Sequence, residues 1–367
     1  MNSKILTKHL ISISNRLFIL VAACLVCLPV AGCRSGKLPT EVVLTSDFIE
    51  GEVFRLEGHP CMKNEIMLYL ANSENGYSEV FGEGIWSVRV GEGTLEDSYK
   101  DNILARIAQI KTMNLLAEKM DVVLEEDEEA KVKAAAREYF ESLSDAEKSY
   151  LDVDMETVTR LYREFAVANK LYEAVTCDVN PEISDDEART ITVRTILVKT
   201  YKLDHAGNKI EYSSEEKKSA LMRIANALQR INEGEAFEVV AADYNEDTGS
   251  EYSFGRGVMP EEFEEAAFNL GVGEVSDIVE TEYGYHLIYC VSTFNPEETD
   301  ANKVKIVEKR KQEAFNEVYD NFVATLTSNL NKPLWDSIHY DPGGIVKTTG
   351  FFEVYDKYFT VVSTQSD

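Results

Sequence analysis

The sequence predicts an α+β protein in which a compact, sheet-containing domain interrupts a mostly helical one. Three observations predict this. Apolar residues recur at helical spacing over 94–179, whereas 191–198 shows strict alternation. A second helical stripe over 302–330 has no partner near it in sequence, so the earlier helices must bury it. A chain of 367 residues also exceeds one ordinary domain.

The balance of 37 basic against 65 acidic residues gives a net charge of −28. This argues against nucleic acid as a partner, since no basic excess is present to neutralise phosphates. It also disfavours adsorption to an anionic membrane surface. Only one long apolar run exists, which rules out a multi-span membrane protein.

That run belongs to the leader. Residues 1–32 contain no acid; Lys4, Lys8 and Arg16 precede an apolar stretch over 17–30. Such a stretch is short for a span and fits the apolar region of a signal peptide. Val30-Ala-Gly-Cys33 follows and resembles a bacterial lipobox, which implies cleavage before Cys33 and lipidation of its thiol. The expected address is extracytoplasmic, lipid-anchored to the bacterial cell membrane. Loss of 1–32 removes three positive charges and takes the mature chain to −31. Cys61, Cys177 and Cys290 then remain beside Cys33, too widely spaced for a disulfide framework. His59 and Cys61 lack the second pair that a zinc site needs, so no metal and no cofactor are expected.

Residues 34–60 read as a tether followed by extended structure over 41–56, and 62–70 as a helix. The Gly- and aromatic-rich stretch 77–86 reads as a packed connection. Thr94 and Asp97 form a capping pair for a helix with Ile103, Ile107, Ile110 and Met113 on one face. A charged helix over 125–143 follows. Asp154 caps a third, carrying Val158, Leu161, Phe165, Ala168, Leu171 and Val175. Residues 181–187 are acidic and break the helical pattern.

The first strand then shows Ile191, Val193, Thr195 and Leu197 on one face. Ser213 and Glu216 make a capping box for a helix with Leu221, Ile224, Leu228 and Ile231 inward. Phe237, Val240 and Tyr244 mark a short helix, and Phe263, Ala267 and Leu270 another over 260–270. Residues 285–291 are the last strand. The 302–330 helix carries Val304, Val307, Ala314, Val318, Phe322 and Leu326. The final aromatic segment, 351–362, reads as one more strand or a docking segment. The expected organisation is a leader 1–32, a helical domain 33–187, an insert 188–293, a returning helix 297–340 and a tail 341–367.

The insert resembles a known family. Residues 194–198 (Arg-Thr-Ile-Leu-Val), 235–247, 258–270 (Val-Met-Pro-Glu-Glu-Phe-Glu-Glu-Ala-Ala-Phe-Asn-Leu), 273–276 and 281–288 (Thr-Glu-Tyr-Gly-Tyr-His-Leu-Ile) are similar, in order and spacing, to parvulin-type peptidyl-prolyl isomerases. More loosely, the flanking helices, the 85–86 region and the lipobox resemble the PrsA/SurA group of extracytoplasmic foldases. The resemblance implies a small antiparallel sheet with surrounding helices, inserted into a SurA-like N-terminal chaperone domain. It implies that Met259 and Phe263 hold the proline ring, four apart on one helix face. His286 is implied to lie beneath them, bonded to Thr281, and Asp247 to stand near the reacting amide. Thr195 occupies a position where the family usually carries histidine. A second departure is 249–255, which replaces the family's Gly-Gly-Asp-Leu-Gly turn.

These residue types suit rotation about X–Pro. Its barrier is ~18–20 kcal/mol, no covalent bond breaks, and no nucleophile or metal is needed. A twisted amide is less polar than a planar one, so an apolar, water-poor slot favours it. Against this stand plainer readings: Met259 and Phe263 as core, His286 as a satisfied core histidine, Asp247 as a turn residue. Lys199, Lys202 and Lys209 are dispersed, which argues against phosphorylated substrates. The leading reading is a membrane-tethered foldase acting on X–Pro bonds of unfolded, newly secreted polypeptides. The alternative is a holdase chaperone with a weakened or inactive isomerase domain. A solute-binding lipoprotein shares only the lipobox. The negative charge serves solubility or attracts basic unfolded clients.

Overall fold

The computed structural model describes residues 48–359, apart from Glu92, Ala206, Asp341 and Pro342. The leader, the lipobox with Cys33, the stretch 41–47 and residues 360–362 lie outside the described residues. The chain divides into two compact units, Met1–Asp178 with Lys311–Asp367, and Val179–Arg310. No helix among the described residues is long and apolar enough to cross a membrane.

The first unit begins with a hairpin of β1 (Glu52–Leu56) and β2 (His59–Met62). Its turn uses Glu57 and Gly58 at positive φ. Helix α1 spans Lys63–Phe81, longer than the pattern predicted because polar residues interrupt its second half. A 3₁₀ turn (Glu83–Ser87), the two-residue strands β3 (Arg89–Val90) and β4 (Gly93–Thr94), and helix α2 (Leu95–Lys119) follow. Thr94 and Asp97 cap α2 reciprocally: Thr94 N–H donates to the carboxylate at 2.9 Å, and Asp97 N–H to the hydroxyl at 3.2 Å. Then come α3 (Glu126–Ser142), α4 (Asp145–Leu151) and α5 (Met155–Thr176), the last capped by Asp154. The sequence pattern missed α4, which is only two turns long. The predicted inward residues of α2 and α5, Ile107 and Leu161 among them, are buried, except Val175, which is half-buried.

The second unit opens with one turn of helix, α6 (Asp185–Ala188), and β5 (Ile191–Lys199). A small hairpin, β6 (Tyr201–Leu203) and β7 (Lys209–Glu211), leads into α7 (Ser214–Asn232) and α8 (Phe237–Tyr244). After these come β8 (Glu251–Phe254), α9 (Glu261–Phe268), β9 (Val279–Thr281) and β10 (Gly284–Ser292). The sheet is antiparallel in the order β8-β5-β10-β9. Alternation along β10 sends Tyr285 and Leu287 to the face covered by α7 and α8, and Ile288 to the face covered by α9. Leu221 is exposed, against expectation; Ala220, Ile224 and Ala227 are the buried residues of α7. The ends of the unit are clasped: Asn295 N–H donates to Thr190 O at 3.0 Å, and Thr190 N–H to Thr299 Oγ1 at 3.2 Å.

Helix α10 (Pro296–Val323) carries the chain back into the first unit. It stops short of the predicted end at 330. Residues 328–330 instead form β11 (Ser328–Leu330), which pairs with β1 in the register Phe54↔Leu330. Val304 is exposed, and the buried anchor is Phe315, 5.2 Å from the Tyr172 ring. After α11 (Lys332–Ser337), the expected strand or docking segment over 351–362 is helix α12 (Phe351–Phe359). It is no loose tail. Phe351 stacks on Tyr162 at 4.3 Å and Tyr162 OH donates to Phe351 O at 2.7 Å. Beneath this aromatic core lies an ion network: Lys111 Nζ is 2.6 Å from Glu65 and 2.7 Å from Glu164, and Arg160 is 3.0 Å from Glu65.

Candidate active site

The α9 face of the second unit gathers most of the residues singled out in the sequence. Gly284 starts β10 at φ +140°, where a Cβ would run into Val198 O and Lys199 Cα. Only glycine lets the strand approach β5 so closely. Two residues on, His286 is fixed opposite Leu197. The β9–β10 turn brings Thr281 beside it, with Oγ1 2.9 Å from His286 Nε2; the same oxygen accepts Tyr283 N–H at 3.1 Å. Both side chains are buried. Burial pushes the imidazole down to about 4, against the opposing pull of the Asp247 carboxylate, so His286 is neutral at pH 7.

Phe263 meets the ring of His286 edge-on, with centroids 5.2 Å apart. It is 4% exposed and packs with Phe254, Phe268 and Ile288. Met259 is half-buried against the same cluster. It does not share a helix face with Phe263, as expected from the spacing. Helix α9 begins at Glu261 behind the N-cap Pro260, because a residue before proline is driven out of the helical region. Met259 therefore reaches the cluster from the loop.

Asp247 sits in a turn zipped onto the end of β5. Asn245 Oδ1 accepts Leu197 N–H at 3.0 Å and Asp247 N–H at 3.2 Å, and Glu246 N–H donates to Leu197 O at 2.8 Å. The Asp247 carboxylate accepts Tyr252 OH at 2.7 Å. Asn245 and Tyr252 were missed in the sequence; the Asn-Glu-Asp run after a helix is an Asx-turn signal that could have marked the first. Thr195 faces the same side as His286, diagonally across from it through its pairing with Ile288. It is 2% exposed. Its hydroxyl has no hydrogen-bond partner, and neither does His286 Nδ1. The structure thus brings together Met259, Phe263, Thr281 and His286, places Asp247 within electrostatic reach, and leaves Thr195 beside them without a direct bond.

This is the arrangement of a parvulin-type domain: a four-stranded antiparallel sheet, an aromatic ring set edge-on to a buried histidine, and an acidic turn within its electrostatic reach. Residues 196–292 match the PPIC-type PPIase domain family, Rotamase. Longer stretches of the chain are similar to curated PrsA foldases. It is 36% identical over 134 residues to Foldase protein PrsA of Geobacillus kaustophilus, covering 35% of this chain and 41% of that one. It is 33% identical over 153 residues to Foldase protein PrsA 3 of Bacillus cereus, covering 39% and 45%. The matches therefore span less than half of these relatives' length. A crystal structure of peptidylprolyl isomerase PrsA from Bacillus cereus aligns with 75% of this chain and 100% of that one, at 20% identity and TM-score 0.38.

Proposed function

We propose that the chain is an extracytoplasmic foldase, tethered through a lipid on Cys33, that accelerates cis–trans isomerisation of X–Pro bonds in unfolded secreted polypeptides. The observation that carries the reading is the Phe263–His286–Thr281 stack. An aromatic slot closed underneath by a neutral, hydrogen-bonded imidazole offers the ring of proline an apolar seat without a buried charge. Met259 completes the wall of the slot. The amide loses polarity as it twists, so exclusion of water there lowers the barrier differentially. Asp247 stands at the edge, where it acts on the carbonyl side electrostatically. The geometry and the likeness to parvulins support each role.

The test is a proline-limited refolding assay with the full chain. Acceleration is expected, and its loss in Met259→Ala with the fold intact supports the slot. Absence of acceleration by the wild type, with aggregation of an unfolded client still suppressed, favours the holdase reading. That second reading draws on the unbonded Thr195 hydroxyl and on the exposed Val80, Phe81, Val88 and Val90 of the first unit. For the anchor, Cys33→Ser is expected to release the protein from membranes.

A further inference from the structure

We infer that the slot selects X–Pro segments carrying lysine or arginine beside the proline; the inference rests on the isomerase reading above. Residues 246–286 include every proposed slot residue except Thr195. They hold eleven Asp and Glu but one basic residue, Arg256. Four of the acids are answered: Glu246 pairs with Arg223, Glu251 with Arg194 at 2.8 Å, Glu264 with Arg256 at 3.7 Å and Glu282 with Lys209 at 3.8 Å. Among the described residues the other seven make no ion pair, including Asp247 and the exposed Glu261, Glu262 and Glu265 of α9. Those three glutamates ride on the helix that presents Phe263. Asp247 receives hydrogen bonds from Tyr252 OH and Thr248 N–H, both at 2.7 Å, which orient the carboxylate and leave its charge uncompensated. Arg256 does not offset the field, since it lies over the Phe268 ring at 4.3 Å and is shared with Glu264.

A second observation points to what enters. Thr195 Oγ1 and His286 Nδ1 are buried polar atoms without partners, both on the sheet face that α9 covers. Buried polar atoms in native folds are satisfied, by protein or by what binds. Proline offers no N–H, so the carbonyls flanking the X–Pro bond are the polar groups a substrate brings, and a threonine hydroxyl donates to a carbonyl. A peptide backbone thus meets Thr195, and the surrounding field ranks its side chains by charge. A competing arrangement is weaker. A cavity of about 400 Å³ past the end of β5 is lined by Lys199, Lys202 and Arg223, but Glu215 and Glu216 share it and Arg223 is committed to Glu246. It does not offer an anion a free cationic cradle.

The test measures isomerisation of capped Ala-Xaa-Pro-Phe peptides by NMR exchange with the full chain, Xaa being Lys, Ala or Glu. Expected is kcat/KM in the order Lys, Ala, Glu, with Lys over Glu ~10-fold at low salt and the gap narrowing steeply as the Debye length shrinks. The triple variant Glu261→Gln, Glu262→Gln, Glu265→Gln should compress that ratio while the Ala peptide keeps its rate. Equal rates for Lys and Glu peptides at low salt, or a preference for Glu, overturn the inference and leave the isomerase reading standing. If no peptide is accelerated, the isomerase reading fails. Titration of the same peptides by chemical shift then decides selectivity: tighter Kd for Lys upholds it, and equal Kd refutes it.

Discussion

Phe263 holds two jobs at once. As wall of the proposed slot it meets the His286 ring, and as core residue it closes the cluster under α9. Phe263→Ala should therefore abolish most isomerisation and also cost the fold ~3–5 kcal/mol, the range for truncating a buried aromatic. Met259→Ala, half-buried on a loop, should lose activity with a much smaller fall in Tm; calorimetry beside the refolding assay separates the two. His286 adds a pH signature. Its folded value of about 4 lies below the ordinary 6.5 of histidine, so the unfolded chain takes up the proton first. Stability is complete above pH ~6.5, falls as pH drops from there toward 4, and is flat below. His286→Gln should flatten that limb in urea titrations at pH 7, 5.5 and 4.5. The slot was legible only through resemblance. From spacing alone, Met259 and Phe263 look like one helix face, and Pro260 is what breaks that reading.

At the scale of elements, two buried acids of α1 behave in opposite ways. Glu65 is stapled to Lys111 of α2 and Arg160 of α5. Glu65→Ala should destabilise the helical unit by ~3–5 kcal/mol, because two cations are left short of their partner; chemical denaturation measures it. Glu74 is 4% exposed, and burial with the nearby Glu96 pushes its carboxyl up to about 8, with Lys100 opposing. A raised carboxyl gives stability present below its unfolded value and lost as pH climbs through 8. Glu74→Gln should raise Tm at pH 8 and leave it nearly unchanged at pH 5. The helices were readable where caps and stripes are local, as with Thr94/Asp97 and Ser213/Glu216. Strands β8, β9 and β11 were not, since three or four residues carry no period. Helix α12 was misread because Phe-Phe-Glu-Val-Tyr-Asp-Lys-Tyr-Phe favours strand by composition, while packing on Tyr162 and Tyr69 decides for helix.

At the scale of the molecule, the first unit is discontinuous: β11 completes the sheet of β1, and Phe351 fills the aromatic core between α3 and α5. A chain ending at residue 350 should lose the cooperative melt of the helical unit while the second unit keeps its own transition. Two separate transitions in the truncated chain, one of them abolished by Glu65→Ala, would contradict this. The same comparison tests whether the second unit, Val179–Arg310, acts as an independent body, which the clasp of Thr190 with Asn295 and Thr299 favours.

The clasp also has a consequence in time. A chain exported N-terminus first emerges in sequence order, and domains fold as units once their segments are present. The inserted body is whole once Arg310 has emerged, while the helical body still waits for Phe315, β11 and Phe351. Its first five helices exist for that interval as an unfinished assembly with an open aromatic seam. The insert, closed early by its own ends, keeps the two flanks of that seam tethered at one point, so the last segments return to a nearby partner rather than to a free coil.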